Sequence, residues 1–146
     1  MDITKSKQLA RDIFERGFGR GELGVVDAGL APDAVDRHAF APDEPDMRHH
    51  LKNAIGMLRG AIPDLRVTVA DLFGEGDRIA VRVEMRGTHT GGCLFGVPPN
   101  GEQVEFEQFH IVQLGEDGLG IRHWANVGVE QFLLTAATRT EPASSR

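Results

Sequence analysis

The sequence predicts an α+β domain in which an antiparallel sheet is covered by N-terminal helices. Apolar residues recur mainly at helical spacing up to Ile62 and at every second position after it. Glycine-rich turns at 74–77 and 115–118 then separate the alternating segments, as antiparallel hairpins require. At 146 residues, with 40% hydrophobic and 26% charged, the chain suits one globular core and is too short for two. The expected layout is a single domain over residues 1–137 and a loose tail over 138–146, where TRTEPASSR lacks apolar residues to bury.

Each element follows from the pattern. Ile3, Leu9, Ala10, Ile13 and Phe14 form the apolar stripe of a first helix that ends at Phe18 among glycines. Residues 22–30 form a short second helix, and 34–40 an extended piece closed by Pro42. Residues 43–61 form a long helix with Met47, Leu51, Ala54, Ile55 and Leu58 facing the core, stopped before Pro63. Four strands follow near 65–71, 79–86, 103–114 and 119–127, and a short apolar helix closes the domain near 129–137. Helices over the concave face of a curved four-stranded sheet would enclose a cavity.

Composition narrows the partners. Sixteen Lys and Arg against 22 Asp and Glu give a net charge of −6, with the basic residues scattered, so nucleic acid is not an expected partner. No segment has the length and apolarity of a membrane span. MDITKSKQLARDIF has neither an apolar h-region nor a small-residue cleavage site, and the expected location is the cytoplasm. The single cysteine, Cys93, reads as a loop thiol. No histidine pair has metal-ligand spacing, so no metal is expected; no glycine motif for a nucleotide is present either.

Chemistry concentrates on the last two strands. In QVEFEQFHIVQL, Gln108 and His110 share a face with Val104, Phe106, Val112 and Leu114. An imidazole on an apolar face is either a buried group satisfied by a neighbour or an acid/base residue tuned by burial. On the last strand Arg122, Trp124 and Asn126 share one face, and Ile121, His123, Ala125 and Val127 the other; alternation alone leaves open which is inside. Asp36 and His38 point the same way if their segment is extended, and otherwise form part of a surface loop. His49 and His50 fall toward the less apolar side of the long helix, where solvent exposure is expected.

Taken in order, IPDL (62–65), GDRIAVRVEMRGTHTG (76–91), FGVPPNG (95–101), EQFHI (107–111) and RHWAN (122–126) resemble the SnoaL-like polyketide cyclase family of the nuclear transport factor 2-like superfamily, over about residues 3–134. The resemblance implies a cone-shaped fold with a strongly bent antiparallel sheet, a deep apolar pocket, and a homodimer formed through the sheet. It also implies ring closure by intramolecular aldol condensation without metal or cofactor, in which an acid/base residue removes a proton beside a carbonyl and polar groups hold the enolate. Carried over by position, His110, His38 and Gln108 resemble the family's pocket histidines and amide and are the catalytic candidates, and Trp124 resembles its last-strand tryptophan; Trp124, with Asp36, Phe106 and Asn126 beside it, makes up the substrate-binding candidates. Four residues beyond the tryptophan, where the cyclases place their acid/base aspartate, this chain has Gly128, which carries no proton. Proton transfer then falls to His110 or His38, with Asp36 orienting the ring.

The function implied is a cofactor-independent cyclase-type enzyme acting on a hydrophobic carbonyl compound. Related isomerase, dehydratase, epoxide hydrolase or hydroxylation-accessory chemistry uses the same pocket. A non-catalytic carrier of a hydrophobic small molecule is the alternative that Gly128 favours. The weakest reading is an interaction module using Arg82, Glu84 and Arg86, whose alternation puts them on the outer sheet face, where they could pair across a dimer.

Overall fold

The structure, a computed structural model, describes residues 2–37 and 42–139, with side chains through residue 134. Helix α1 (Thr4–Asp12) continues without a break into a π-helical segment, Ile13–Phe18, which buries Ile13, Phe14 and Phe18. Helix α2 (Gly24–Gly29) is short, and the chain is already extended at Leu30, because Pro32 cannot donate within a helix. Strand β1 (Leu30–Asp36) therefore starts earlier than the sequence pattern suggests. Helix α3 (Met47–Ala61) begins four residues later than the expected 43, capped by Asp46, whose carboxylate accepts from the His49 N–H at 3.4 Å. Its buried stripe is Met47, Leu51, Ile55, Leu58 and Ala61.

The strands β2 (Arg66–Glu75), β3 (Arg78–Thr88), β4 (Gln103–Leu114) and β5 (Gly120–Asn126) form the expected antiparallel meander, and α4 (Val129–Arg139) follows. The sheet order is β1-β5-β4-β3-β2. One expectation is corrected: the sheet has five strands and is mixed, because β1 lies parallel to β5. Alternation within a strand reports burial and not the partner, so a parallel pairing across some ninety residues leaves no local mark. That pairing puts Asp36 directly beside His123.

Helices cover one sheet face, and the core lies between them and Ile79, Val81, Val83, Met85, Val104 and Phe106. The loop after β3 is tied to the end of α3: the Gly91 and Gly92 N–H groups donate to the Ala61 and Gly60 carbonyls, satisfying helix-end acceptors. Gly91 is needed there, since a Cβ would collide with the Gly60 carbonyl oxygen. Phe132 of α4 is 2% exposed and meets Phe95, Phe106 and His89 edge-on at ring separations of 5.6, 6.2 and 5.7 Å.

On the outer face, Arg82 binds Asp71 and Glu107, each at 2.7 Å, and Arg86 reaches Glu105 at 3.3 Å. The charges expected to pair across a dimer thus pair within their own sheet. Among the described residues no helix is long and apolar enough to cross a membrane. The expected tail lies outside the described residues, apart from its first two positions, which continue α4.

Candidate active site

The period-2 geometry of β4 turns Gln108 and His110 inward at 2% and 3% exposure, while Phe109 and Ile111 face out. On β5 the inward residue is His123, 5% exposed. His110 pairs across the strands with Ala125, so His123 is its diagonal neighbour on the same face. The two rings stack with centroids 5.0 Å apart and planes 23° from parallel. Phe14 closes over His110, with ring centroids 4.5 Å apart.

These side chains form a continuous chain. The Gln108 amide nitrogen donates to the Val127 carbonyl at 3.1 Å, which turns its oxygen toward His110 Nε2 at 2.9 Å. His110 Nδ1 meets His123 Nε2 at 2.7 Å, and His123 Nδ1 meets Asp36 Oδ1 at 2.8 Å. The other Asp36 oxygen, Oδ2, lies 2.9 Å from Nδ1 of His50 on α3. Asp36 is fixed by its backbone, which exchanges two hydrogen bonds with Glu44, at 2.9 and 2.7 Å.

With Asp36 ionised, hydrogen counting fixes the protonation of this chain. The Gln108 oxygen and the Asp36 carboxylate only accept, so His110 Nε2 and His123 Nδ1 both carry protons. The bond between the two rings needs a third, whereas two neutral imidazoles hold two. The pair therefore carries one extra proton, balanced by Asp36. Burial, and then the charge at His123, hold the His110 pKa well below the ordinary imidazole range, so His110 is the neutral ring. In that state the third proton lies on the His123 side, facing Asp36 at 2.8 Å.

The polar side of this chain lines a cavity of about 290 Å³, closed on its apolar side by Phe18, Leu51, Met57, Leu58, Phe95 and Val127. That volume is at the lower end for small-molecule sites. His50 is also on the wall, with its side chain 38% exposed, whereas those of Asp36 and His123 are 10% and 6% exposed. Among the described residues no group of three or more His, Cys, Asp or Glu is arranged to hold a metal ion.

Of the sequence-derived candidates, Gln108, His110 and Asp36 come together at this wall. His38 lies outside the described residues. Phe106 is beneath the wall, in the core against Phe132. Trp124 and Asn126 are corrected: both are on the opposite sheet face. Trp124 receives the Arg78 guanidinium 5.0 Å from its ring centre, and the Asn126 side chain accepts from the Gly128 N–H at 3.2 Å. Of the other two chain members, His123 was marked on the last strand but not taken as a candidate, and His50 was placed elsewhere. His123 belongs to the more apolar face of β5, with Ile121, Ala125 and Val127, and that majority was the signal. His50 was expected in solvent, yet stands three residues after Met47 and four before Ala54, on the margin of the helical stripe.

Gly128 has φ +78°, and a Cβ there would collide with the Glu107 carbonyl oxygen and lie 3.0 Å from the Phe106 ring. The backbone occupies the space an aspartate side chain would leave through.

The chain is thus of the α+β class, an open, mixed five-stranded sheet under helices with a polar side-chain network along one wall of a cavity. The SnoaL-like polyketide cyclase family matches residues 8–127, and the chain belongs to that family. Its fold is shared with AclR from Streptomyces galilaeus, a candidate hydroxylase (23% identity, 99% of this chain and 88% of that one, TM-score 0.76). It is shared too with TsrD from Streptomyces laurentii (23%, 92% and 96%, 0.77) and with IdmH from Streptomyces antibioticus, a candidate polyketide cyclase (25%, 92% and 99%, 0.72). No curated protein matches the sequence.

Proposed function

We propose that the protein is a cofactor-independent, cyclase-type enzyme that moves a proton at the carbon beside a carbonyl of a hydrophobic small molecule. The observation carrying this reading is the chain Gln108–His110–His123–Asp36 set along one wall of an otherwise apolar cavity. An apolar site strengthens each charge and dipole it holds, so one mobile proton beside a buried carboxylate is suited to stabilising an enolate oxygen as charge develops. In this reading Gln108 and His110 orient the polar wall, Asp36 and His123 supply its charge balance, and the apolar residues opposite hold the carbon skeleton.

The test is deuterium incorporation from heavy water next to the carbonyl of β-tetralone, a bicyclic ketone, followed by proton NMR. The wild-type protein should exceed buffer, and His110→Ala should lose about 10²-fold or more of the excess, the usual scale of acid/base assistance. Binding of the ketone with no incorporation would instead favour a carrier that sequesters its ligand, the reading supported by Gly128 and by the hydrogen bonds already held at both His110 nitrogens.

A homodimer through the outer sheet face is part of the same proposal. Phe109, Ile111 and Phe73 stand 49%, 43% and 65% exposed on the strands there, an apolar set that pairing would cover. Light scattering should give twice the chain mass, and a monomer mass would remove the dimer from the proposal.

A further inference from the structure

We infer that Phe95 sets the size of ligand the cavity admits, a role that rests on the small-molecule reading above and is the same for an enzyme or a carrier. Its ring stands on the apolar side of the cavity, with Phe18, Leu58 and Val127. The backbone beneath the ring singles it out. Leu94 and Val97 exchange two backbone hydrogen bonds, each of 2.9 Å, so Phe95 and Gly96 form a two-residue turn. Both have positive φ, +49° and +81°, as the type I′ turn requires and as Asn-Gly or Gly-Gly supplies without strain. Gly96 conforms to that rule. Phe95 does not, because a bulky side chain crowds its own backbone in the left-handed region. Asp46, the other non-glycine residue with positive φ among the described residues, is a short polar side chain serving as a helix cap.

Strain of this kind persists where the surroundings hold it. Two anchors do so here: Leu94 is fully buried, and the Phe95 ring meets Phe132 at 5.6 Å with the planes 72° apart. Phe132 is itself fixed against His89 and Phe106. The Phe95 ring is therefore a braced part of the wall, unlike Met57 on the same wall, which is exposed and has an unbranched, adaptable side chain. A shorter side chain at position 95 would relieve the turn and open the cavity toward Phe132. In a cavity of about 290 Å³, the space of one phenyl ring decides whether a ligand has room for further fused rings.

The experiment measures the affinities of β-tetralone, by calorimetry, and of the larger four-ring ketone benzanthrone, by its fluorescence. Wild-type protein, Phe95→Asn and Phe95→Leu are compared, with melting curves to establish that each is folded. The ratio of affinities, benzanthrone over β-tetralone, should rise about tenfold or more in Phe95→Asn, the scale on which apolar pockets discriminate by size. Phe95→Leu keeps an apolar contact with Phe132 and carries the test if Phe95→Asn unfolds; its ratio should move the same way by a smaller factor. An unchanged ratio in a folded variant, even with both ketones bound more weakly, would overturn the inference and leave Phe95 a packing contact of Phe132. Wild-type protein that binds neither ketone would overturn the small-molecule reading along with it.

Discussion

Asp36 and His123 are register partners on the parallel strands β1 and β5, and their side chains meet at 2.8 Å beneath the helical layer. The parallel edge pairing thus supplies a buried carboxylate–imidazole pair at the wall of the cavity. The backbone extends the same link, with the Arg37 N–H donating to the His123 carbonyl at 2.8 Å.

Removing the charge from Asp36 should cost more than a surface pair would. With His123 protonated, Asp36→Asn leaves it without its counterion in a site where both side chains are at most 10% exposed. The expected loss is about 3 kcal/mol, the lower end for breaking a buried pair. Urea unfolding would measure it, and a loss below about 1 kcal/mol, the scale of an exposed pair, would contradict the assignment of charge.

His110 makes stability depend on pH in a defined direction. Its folded-state pKa is depressed below the ordinary imidazole value, chiefly by burial, so below about pH 6.5 the unfolded chain binds a proton that the folded ring refuses. Stability from this residue is therefore complete above that pH and falls as the pH drops below it, by up to about 1.4 kcal/mol per pH unit. His110→Gln should flatten the wild-type profile over that window. Parallel profiles for the two proteins would refute the prediction.

Gly128→Asp, the substitution that returns the cyclase carboxylate by sequence position, should fail structurally. The position is left-handed, and its Cβ would strike the Glu107 carbonyl oxygen. Strain of about 1–3 kcal/mol is expected from the backbone conformation alone, with the collision added to it. A variant as stable as wild type by thermal melting would show that the backbone there is not constrained in this way.

Phe132 tests the role of α4. Truncation to Ala removes a ring that contacts Phe95, Phe106 and His89, and should cost about 3–5 kcal/mol. Calorimetry would read this directly, and a change under about 1 kcal/mol would mean that α4 is not packed as a lid on the core.

The helices and the four meander strands were legible because each has a burial period of its own. Gln108 and His110 were legible for the same reason, being polar residues at apolar positions of one strand. Asp36 could be singled out but not joined to His123, since the link is a parallel strand pairing between distant segments. The wrong face of β5 was chosen because the family's tryptophan drew attention to Trp124. That ring lies over the outer face with Arg78, while Ile121, Ala125 and Val127 mark the inner side. His50 was lost at a helix margin, where a helical period separates core from solvent poorly and only the position of Asp36 decides the matter.

The most direct test of the account is a nitrogen-15 NMR measurement of the imidazole rings at neutral pH, with His110 and His123 assigned by substitution. Three ring protons shared by these two residues, with both nitrogens of His123 protonated, is the predicted result. Two protons, one on each neutral ring, would contradict the charged Asp36–His123 pair on which the proton chemistry of the cavity depends.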